Sequence, residues 1–264
     1  MVRGLYTAAS GMLARDGQIN VIANNLANVN TTGFKRDETI FREFPKYLQQ
    51  RLNDDVMLTD KGLIDFMPPV GLLGTGVTVD EIFTEFQQGD LYETGNKCDA
   101  ALWGDGFFAI QTPTGERYTR NGNFTLNQNG ELVTMQGYKV LDINNQPINV
   151  AYQDFTITPD GSVYIRQDTA NTYLTKLKIV QFENKRALKK IGENFYEPTE
   201  YSGAMSLSPK DVEVRQSYVE KANVNIVKEM VLMIEVNRAY ELNHRLIRNY
   251  DELAGKAVNE VGRL

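Results

Sequence analysis

The first 35 residues of the chain place apolar side chains at intervals of seven. Leu5, Met12, Ile19 and Leu26 occupy one position of this repeat. Further apolar residues lie three positions after members of that series, namely Ala8, Ile22 and Val29. A spacing of seven with an offset of three is the pattern of a coiled-coil helix, in which both series face a partner helix. The pattern therefore predicts an amphipathic helix at the start of the chain.

Glycines weaken this predicted helix and then end it. Gly4, Gly11 and Gly17 lie in its interior, where each costs about 1 kcal/mol relative to alanine. Gly33 follows the Asn-Thr-Thr of residues 30–32. It suits the left-handed position that commonly ends a helix.

The last 50 residues repeat the same design over a longer stretch. The heptad positions here are Val219, Ile226, Met233, Tyr240, Ile247, Ala254 and Val261. They predict a helix of about 40 residues, which is about 60 Å long at 1.5 Å per residue. A sustained seven-residue spacing implies a supercoiled partner. We therefore expect residues 1–35 and 215–264 to form one α-helical coiled-coil unit that is discontinuous in sequence.

Between the two ends the apolar pattern changes to alternation, which indicates β-strands. Asn121-Gly122, Asn129-Gly130 and Asp160-Gly161 are dipeptides typical of tight hairpin turns. The predicted strands around them are FFAIQT, RYT, FTLN, ELVTM, YKVLD, FTIT, SVYIR and YLTKLKIVQF. We expect residues 97–214 to form an antiparallel all-β domain inserted between the helices, which gives an α+β fold.

The segment 36–96 has no single period and is interpreted as a connector. Phe41, Phe44, Leu48 and Leu52 follow one another at helical spacing, so a short helix is predicted there. The glycine-rich stretch GLLGTGV comes after it. Glycines of this kind mark a break in regular structure.

Composition and charge narrow the class of protein. The chain has 264 residues, of which 42% are hydrophobic and 23% charged, as in folded globular proteins. Its formal net charge of −6 argues against a nucleic-acid partner. The acidic excess lies within residues 36–214, while each end is slightly basic. We also expect no cleaved signal peptide and no membrane span, because no apolar run reaches the roughly 18 residues that a span requires.

Candidate catalytic and metal-binding residues are few. One cysteine, Cys98, and one histidine, His244, cannot form a disulfide within the chain or a Cys/His metal cluster. Asp99, Asp105 and Glu116 are the carboxylates that could supply a glycosidase-type pair. Acidic residues next to glycine or asparagine are more typical of turns. We therefore predict a non-enzymatic protein that uses no cofactor or metal.

Three stretches of the chain resemble one protein family. ANNLANVNTTGFKR, residues 23–36, looks like the N-terminal signature of flagellar basal-body rod and hook proteins. YVEKANVNIVKEMVLMIEVNRAYELN, residues 218–243, resembles the C-terminal end of the same family. ALWGDGFFAIQTPTGERYTRNGNFTLNQNGELVTMQGYKVL, residues 101–141, is similar to the β domain of its rod members, the FlgG and FlgF types. The three matches lie in the family's order along the chain.

The resemblance implies a function and a location. A member of this family is exported unfolded by the flagellar type III apparatus, without signal cleavage, and polymerises into a hollow helical tube that crosses the periplasm. The terminal helices would form the inner coiled-coil core of this rod, and the β domain its outer layer. The implied partners are further copies of the chain, other rod proteins, the hook protein, the export machinery and the rings around the rod.

We predict that the terminal segments make the contacts between subunits. The apolar candidates are Leu5, Met12, Ile19 and Leu26 on the first helix and Ile226, Met233, Tyr240 and Ile247 on the second. The polar candidates are Asn24, Asn25 and Asn28. Side-chain amides can donate and accept hydrogen bonds between neighbouring subunits without burying charge, and a polar residue in an apolar seam fixes its register.

Two other functions fit parts of the sequence. A non-flagellar oligomeric scaffold or adhesin would use the same two-ended coiled coil and would form a closed ring or bundle. A cell-wall hydrolase would need a carboxylate pair in the β domain, which Asp99 and Glu116 would have to supply.

Overall fold

A helix at each end of the chain encloses a run of short strands, which confirms the predicted α+β fold. The helices are α1, Val2–Ala27, and α2, Ile226–Lys256, which continues as a π-helical turn over Ala257–Val261. α2 starts later than predicted, because Val219 lies in a β-strand. The structure is a computed structural model that describes residues 2–50, 56–59, 62–65, 69–167, 170–192, 194–207, 209 and 211–261.

The strands are numbered β1 to β22 in chain order within the described residues. The first seven are Asp37–Glu43, Tyr47–Gln50, Val56–Thr59, Gly62–Asp65, Pro69–Leu73, Val77–Thr84 and Leu91–Glu93. β8 to β15 are Ala100–Trp103, Phe107–Thr112, Gly115–Thr119, Phe124–Leu126, Leu132–Thr134, Lys139–Val140, Phe155–Ile157 and Ser162–Gln167. β16 to β22 are Ala170–Lys176, Ile179–Phe182, Lys189–Ile191, Phe195–Glu197, Met205–Leu207, Glu213–Gln216 and Tyr218–Glu220.

The chain divides into two compact units, each assembled from separate segments. We call the first the helical unit, and it comprises Met1–Ala23, Glu38–Phe83 and Met230–Leu264. The second, the β unit, comprises Asn24–Asp37 and Thr84–Glu229. The end of α1 and the first turn of α2 therefore belong to the β unit.

The β unit is built around a nine-stranded sheet of antiparallel strand pairs. Its strand order is β11-β12-β13-β9-β10-β19-β18, with β17 paired to β9 and β20 paired to β17. β14, β15 and β16 form a separate three-stranded sheet. Each of the eight sequence stretches predicted as β overlaps at least one of these strands, which confirms the central antiparallel β domain. Side chains such as Phe108, Ile110, Phe124 and Leu177 alternate into its buried core.

Two of the three predicted hairpin turns are confirmed. Gly130 and Gly161 have φ values of 74° and 84° and connect the paired strands β11–β12 and β14–β15. The prediction at Asn121-Gly122 is wrong, because β10 and β11 pair with other strands. Gly122 instead accepts a hydrogen bond of 2.9 Å from the backbone N–H of Ala100. A glycine there serves a close backbone approach and not a turn.

The connector of the helical unit is also β-structured where the structure describes it. β1 pairs with β6, β2 with β5 and β3 with β4. The predicted short helix is therefore wrong at Phe41 and Leu48, which lie in β1 and β2. Phe44 lies between these strands, and Leu52 lies outside the described residues. Pairing with distant strands overrides the local helical spacing, since strand preference depends on neighbours in the sheet.

Candidate assembly site

One face of α2 is covered by other parts of the protein. Met233, Val236, Tyr240, Ile247 and Tyr250 are buried or half-buried. They follow one another at steps of three, four, seven and three, which return to the same side of a helix. Met233, Tyr240 and Ile247 belong to the predicted heptad series, whereas Ile226 and Ala254 of the same series are exposed.

Two glycines of α1 lie against side chains of α2. A Cβ atom on Gly4 would lie 2.5 Å from the hydroxyl oxygen of Tyr250, and one on Gly11 would lie 3.0 Å from Nδ2 of Asn243. The two approaches are seven residues apart on each helix and run in opposite directions. The glycines that weaken α1 are thus the positions where α2 side chains reach its backbone.

We expect Gly4→Ala to destabilise the helical unit, although alanine is the better helix former. The added methyl group would displace Tyr250 and cancel the gain in propensity, so we expect a net loss of about 1 kcal/mol. Gly255→Ala is the matched control, because a Cβ atom there meets nothing within 4 Å. It should stabilise by about 0.5–1 kcal/mol. Urea unfolding followed by far-UV circular dichroism measures both changes, and a stabilised Gly4→Ala variant would contradict the close approach.

The side of α2 opposite the covered face carries exposed apolar side chains among charged ones. Val231, Ile234, Leu242 and Leu253 expose 51%, 52%, 58% and 55% of their surface. Successive helical residues turn by about 100°, which places these side chains away from Val236. The charged residues Glu235, Arg238, Glu241 and Arg245 are exposed on the same side. We call this mixed surface the open face of α2, and its exposed apolar side chains are candidates for contacts with a partner.

An open groove adds to this surface in the helical unit. Its volume is about 1190 Å³. Residues of α1, β2, β5 and α2 line it, and the larger side chains among them are Tyr6, Tyr47, Leu48, Leu73, Leu246 and Tyr250. Tyr47 and Leu48 expose more than half of their surface. The groove is thus an apolar concavity that a convex apolar segment can fill.

The predicted assembly residues fall into three classes of exposure. The half-buried ones are Leu5, Met12, Ile19, Leu26, Asn28, Met233, Tyr240 and Ile247. Asn24 and Ile226 are exposed, and Asn25 is buried. The structure therefore separates residues that reach the surface from one that does not.

Asn25 and Asn28 bond within the chain. The Asn25 amide Nδ2 donates to the backbone oxygen of Asp37 at 2.8 Å, and its Oδ1 accepts from the Asp37 N–H at 2.9 Å. Asn28 Nδ2 donates to the backbone oxygen of Asn24 at 2.9 Å, and its Oδ1 accepts from the Thr31 hydroxyl at 3.2 Å. These bonds satisfy the end of α1 and hold the chain reversal after it. The sequence analysis did not foresee this internal role of Asn25.

A buried ionic cluster, which we call the polar joint, connects three distant segments of the β unit. It consists of Lys35, Arg120 and Glu220, whose side chains are 1%, 4% and 0% exposed. Lys35 Nζ lies 2.6 Å from Oε1 of Glu220, and Arg120 Nε lies 2.7 Å from Oε2. The Gly89 N–H also donates to Oε1, at 2.8 Å. One carboxylate thus serves two buried cations.

Further polar contacts surround the polar joint. Arg36 Nε lies 2.6 Å from Oε1 of Glu229, whose side chain is 1% exposed. Lys190 Nζ lies 2.8 Å from Oδ2 of Asp37. The Asn223 amide accepts from the Arg36 N–H at 2.7 Å and donates to the backbone oxygen of Glu85 at 2.9 Å. Each contact ties the segment after α1 to another part of the β unit.

Burial lowers the pKa of the two lysines in this network. Desolvation lowers the pKa of Lys35 from its ordinary value, while the Glu220 carboxylate acts in the opposite direction. The pKa of Lys190 is lowered by the same cause, and Asp37 opposes that shift. These pairs were not predicted from the sequence. The features that could have indicated them are the adjacent Lys35 and Arg36 in residues 23–36 and the acidic Glu220 and Glu229 in residues 218–243.

The residues considered for catalysis have structural partners instead. Asp99 accepts hydrogen bonds from Thr94 Oγ1 at 2.6 Å and from Asn96 Nδ2 at 3.2 Å. Asp105 Oδ2 lies 2.6 Å from Lys185 Nζ, and Glu116 Oε1 lies 2.7 Å from Lys178 Nζ. Cys98 belongs to the β unit and His244 to the helical unit. These contacts are those of a turn and of two ion pairs.

Neither a metal-ligand cluster nor a membrane-spanning helix occurs in the part of the chain that the structure describes. No group of three or more His, Cys, Asp and Glu side chains there could hold a metal ion. No helix among the same residues is long and apolar enough to cross a membrane.

The fold defines a class of protein that has a helix at each end and an antiparallel β domain between them. Matches to known families agree in all three regions. The family described as "Flagella basal body rod protein" matches residues 5–35, and "Flagellar hook protein FlgE/F/G D1 domain" matches residues 101–165. "Flagellar basal body rod FlgEFG protein C-terminal" matches residues 215–260. The chain belongs to the flagellar basal-body rod family.

Full-length relatives support this assignment. The chain is 39% identical to the flagellar basal-body rod protein FlgG of Buchnera aphidicola subsp. Baizongia pistaciae, with 97% of this chain and 98% of the relative aligned. It is 39% identical to the FlgG of Agrobacterium fabrum, over 96% and 97% of the two chains. Identity to the FlgG of Borreliella burgdorferi is 38%, over 98% of each chain. All three comparisons extend over nearly the whole protein.

Proposed function

We propose that this protein is a structural subunit of the bacterial flagellar basal-body rod. The observation that carries the proposal is the set of exposed apolar side chains on the open face of α2, opposite its covered face. Such side chains gain free energy when a neighbouring subunit covers them. The relatives named FlgG, which align over nearly the whole chain, favour the rod as the assembly.

The two helices pair as an antiparallel coiled coil in this proposal. Its support is the pair of approaches between Gly4 and Tyr250 and between Gly11 and Asn243, which keep a seven-residue step. The half-buried heptad residues of both helices would supply the apolar contacts of this pairing. A second coil-like contact, made by the open face of α2, would then join one subunit to the next.

The surfaces of the helical unit suit an open assembly. The exposed α2 side chains are convex, whereas the groove beside Tyr47 and Leu73 is concave. Two different surfaces that meet head to tail generate a helical polymer when the rotation between subunits does not close into a ring, unlike the self-complementary contact of a closed dimer. The family resemblance adds type III export without signal cleavage, a periplasmic position and contacts with other rod proteins, hook protein and surrounding rings.

The expected result for the purified full-length chain is concentration-dependent growth of hollow tubes. Negative-stain electron microscopy over a concentration series measures this directly. Closed rings or bundles would support the alternative of an oligomeric scaffold or adhesin. Monomers at every concentration would contradict both, and the β unit would then be the place to search for an activity.

A further inference from the structure

We propose that the polar joint couples two segments of the β unit, so that they dock onto the rest of that unit as one cooperative element. The first segment is 24–37, which follows α1, and the second is 218–229, which leads into α2. Neither segment stays docked when the other is undocked. The proposal concerns a single subunit and is independent of what the subunit assembles into.

The charges of the two segments are complementary. The first segment supplies Lys35 and Arg36, and the second supplies Glu220 and Glu229. All these side chains are buried except that of Arg36, which is 14% exposed. Each segment thus holds the counter-ions of the other, and an ion pair that loses one partner leaves a buried charge.

When either segment undocks, a charged side chain that stays buried loses its counter-ion. Without the second segment, Lys35 and Arg120 lose the one carboxylate that both contact. Without the first segment, the nearly inaccessible Glu229 loses Arg36, which lies 2.6 Å from it. Breaking a buried pair in this way is far more unfavourable than never forming it. Both partial states are therefore penalised.

Backbone contacts strengthen the coupling. The Gly33 N–H donates to the backbone oxygen of Glu220 at 2.7 Å, and a Cβ atom on Gly33 would lie 2.5 Å from the Asn121 nitrogen. Asn223 bonds to the Arg36 N–H with its side chain. The segments thus contact each other directly, in addition to sharing the cluster.

The β core does not need either segment for its own packing. The two hydrophobic clusters of the β unit draw their buried members from residues 100–214. The segments 24–37 and 218–229 lie outside that range. The two segments can therefore open while the core stays folded, so that together they form one subglobal unfolding unit.

Hydrogen exchange measured by mass spectrometry on the full chain tests the proposal. In Glu220→Gln we expect amide exchange to rise about a hundredfold or more in both segments, because two buried cations lose their carboxylate. Peptides from β9 and β10 should keep wild-type exchange. Asp154→Asn is the matched control, since it breaks the exposed Lys97–Asp154 pair of 2.5 Å, and it should change neither segment.

A second variant keeps the test decisive if Glu220→Gln does not fold. Lys35→Met retains the Glu220–Arg120 pair and the length of the side chain, so we expect a smaller, roughly tenfold, rise in exchange. The rise should again include both segments. A rise confined to 24–37 in Lys35→Met, or to 218–229 in Glu220→Gln, would show independent docking and overturn the proposal.

Discussion

Gly122→Ala is expected to unfold the β unit under conditions in which the natural protein is stable. A Cβ atom on Gly122 would lie 1.5 Å from the backbone oxygen of Ala100 and 2.7 Å from its carbonyl carbon. Ala100 is fully buried and belongs to β8, which pairs with β21. Ala100 cannot move without breaking its pairing with β21, and a shift of Gly122 would break its hydrogen bond with Ala100, so we expect a loss of about 4 kcal/mol or more.

Urea unfolding followed by tryptophan fluorescence measures this loss. Trp103 is the one tryptophan of the chain, and it lies in the same strand as Ala100. Gly192→Ala is the control in the same unit, because a Cβ atom there meets nothing within 4 Å. It should shift stability by less than about 1 kcal/mol. An unfolding midpoint of Gly122→Ala equal to that of the natural protein would show that the close approach is absent.

Val231→Ser combined with Ile234→Ser is expected to weaken assembly and to leave the subunit folded. Both side chains are about half exposed on the open face of α2, so their loss removes little from the core. Each would bury its exposed half between subunits, which is about 1 kcal/mol apiece. A combined 2 kcal/mol raises the critical concentration for assembly about thirtyfold.

The control for this variant keeps the face apolar. Val231→Ile combined with Ile234→Val conserves the number of methylene groups and should assemble as the natural protein does. Sedimentation over a concentration series gives the critical concentration of each, and circular dichroism checks that α2 remains helical. Normal assembly of the serine variant would exclude this face from the subunit contacts.

Local periodicity was sufficient to predict the elements whose partners lie close in the chain. β9 and β10 form a hairpin across a short turn, and alternation alone located both strands. The same holds for the turns at Gly130 and Gly161. In each case the neighbouring strand supplies both the hydrogen bonds and the cross-strand contacts, so the local signal and the fold agree.

Prediction failed where a distant segment decides the structure. β2 pairs with β5 across a long stretch of chain, and Val219 pairs with Tyr92 although it also fits the heptads of α2. The polar joint was missed for the same reason. Lysine and arginine after a helix suggest solvent exposure from sequence alone. Lys35 and Arg120 can be buried because Glu220, from a distant part of the chain, pairs with both of them.

The polar joint also has a consequence for the order of folding. Lys35 and Glu220 are 185 positions apart in the chain, whereas the paired residues Thr112 and Gly115 of β9 and β10 are nearly adjacent. Closing a long loop has a larger entropic cost than closing a short hairpin, and contacts of high sequence separation slow folding. We therefore expect the β hairpins to form before the joint closes. A chain whose residues after 216 have not yet emerged already contains every buried residue of the two hydrophobic clusters, while Lys35 and Arg120 still lack Glu220.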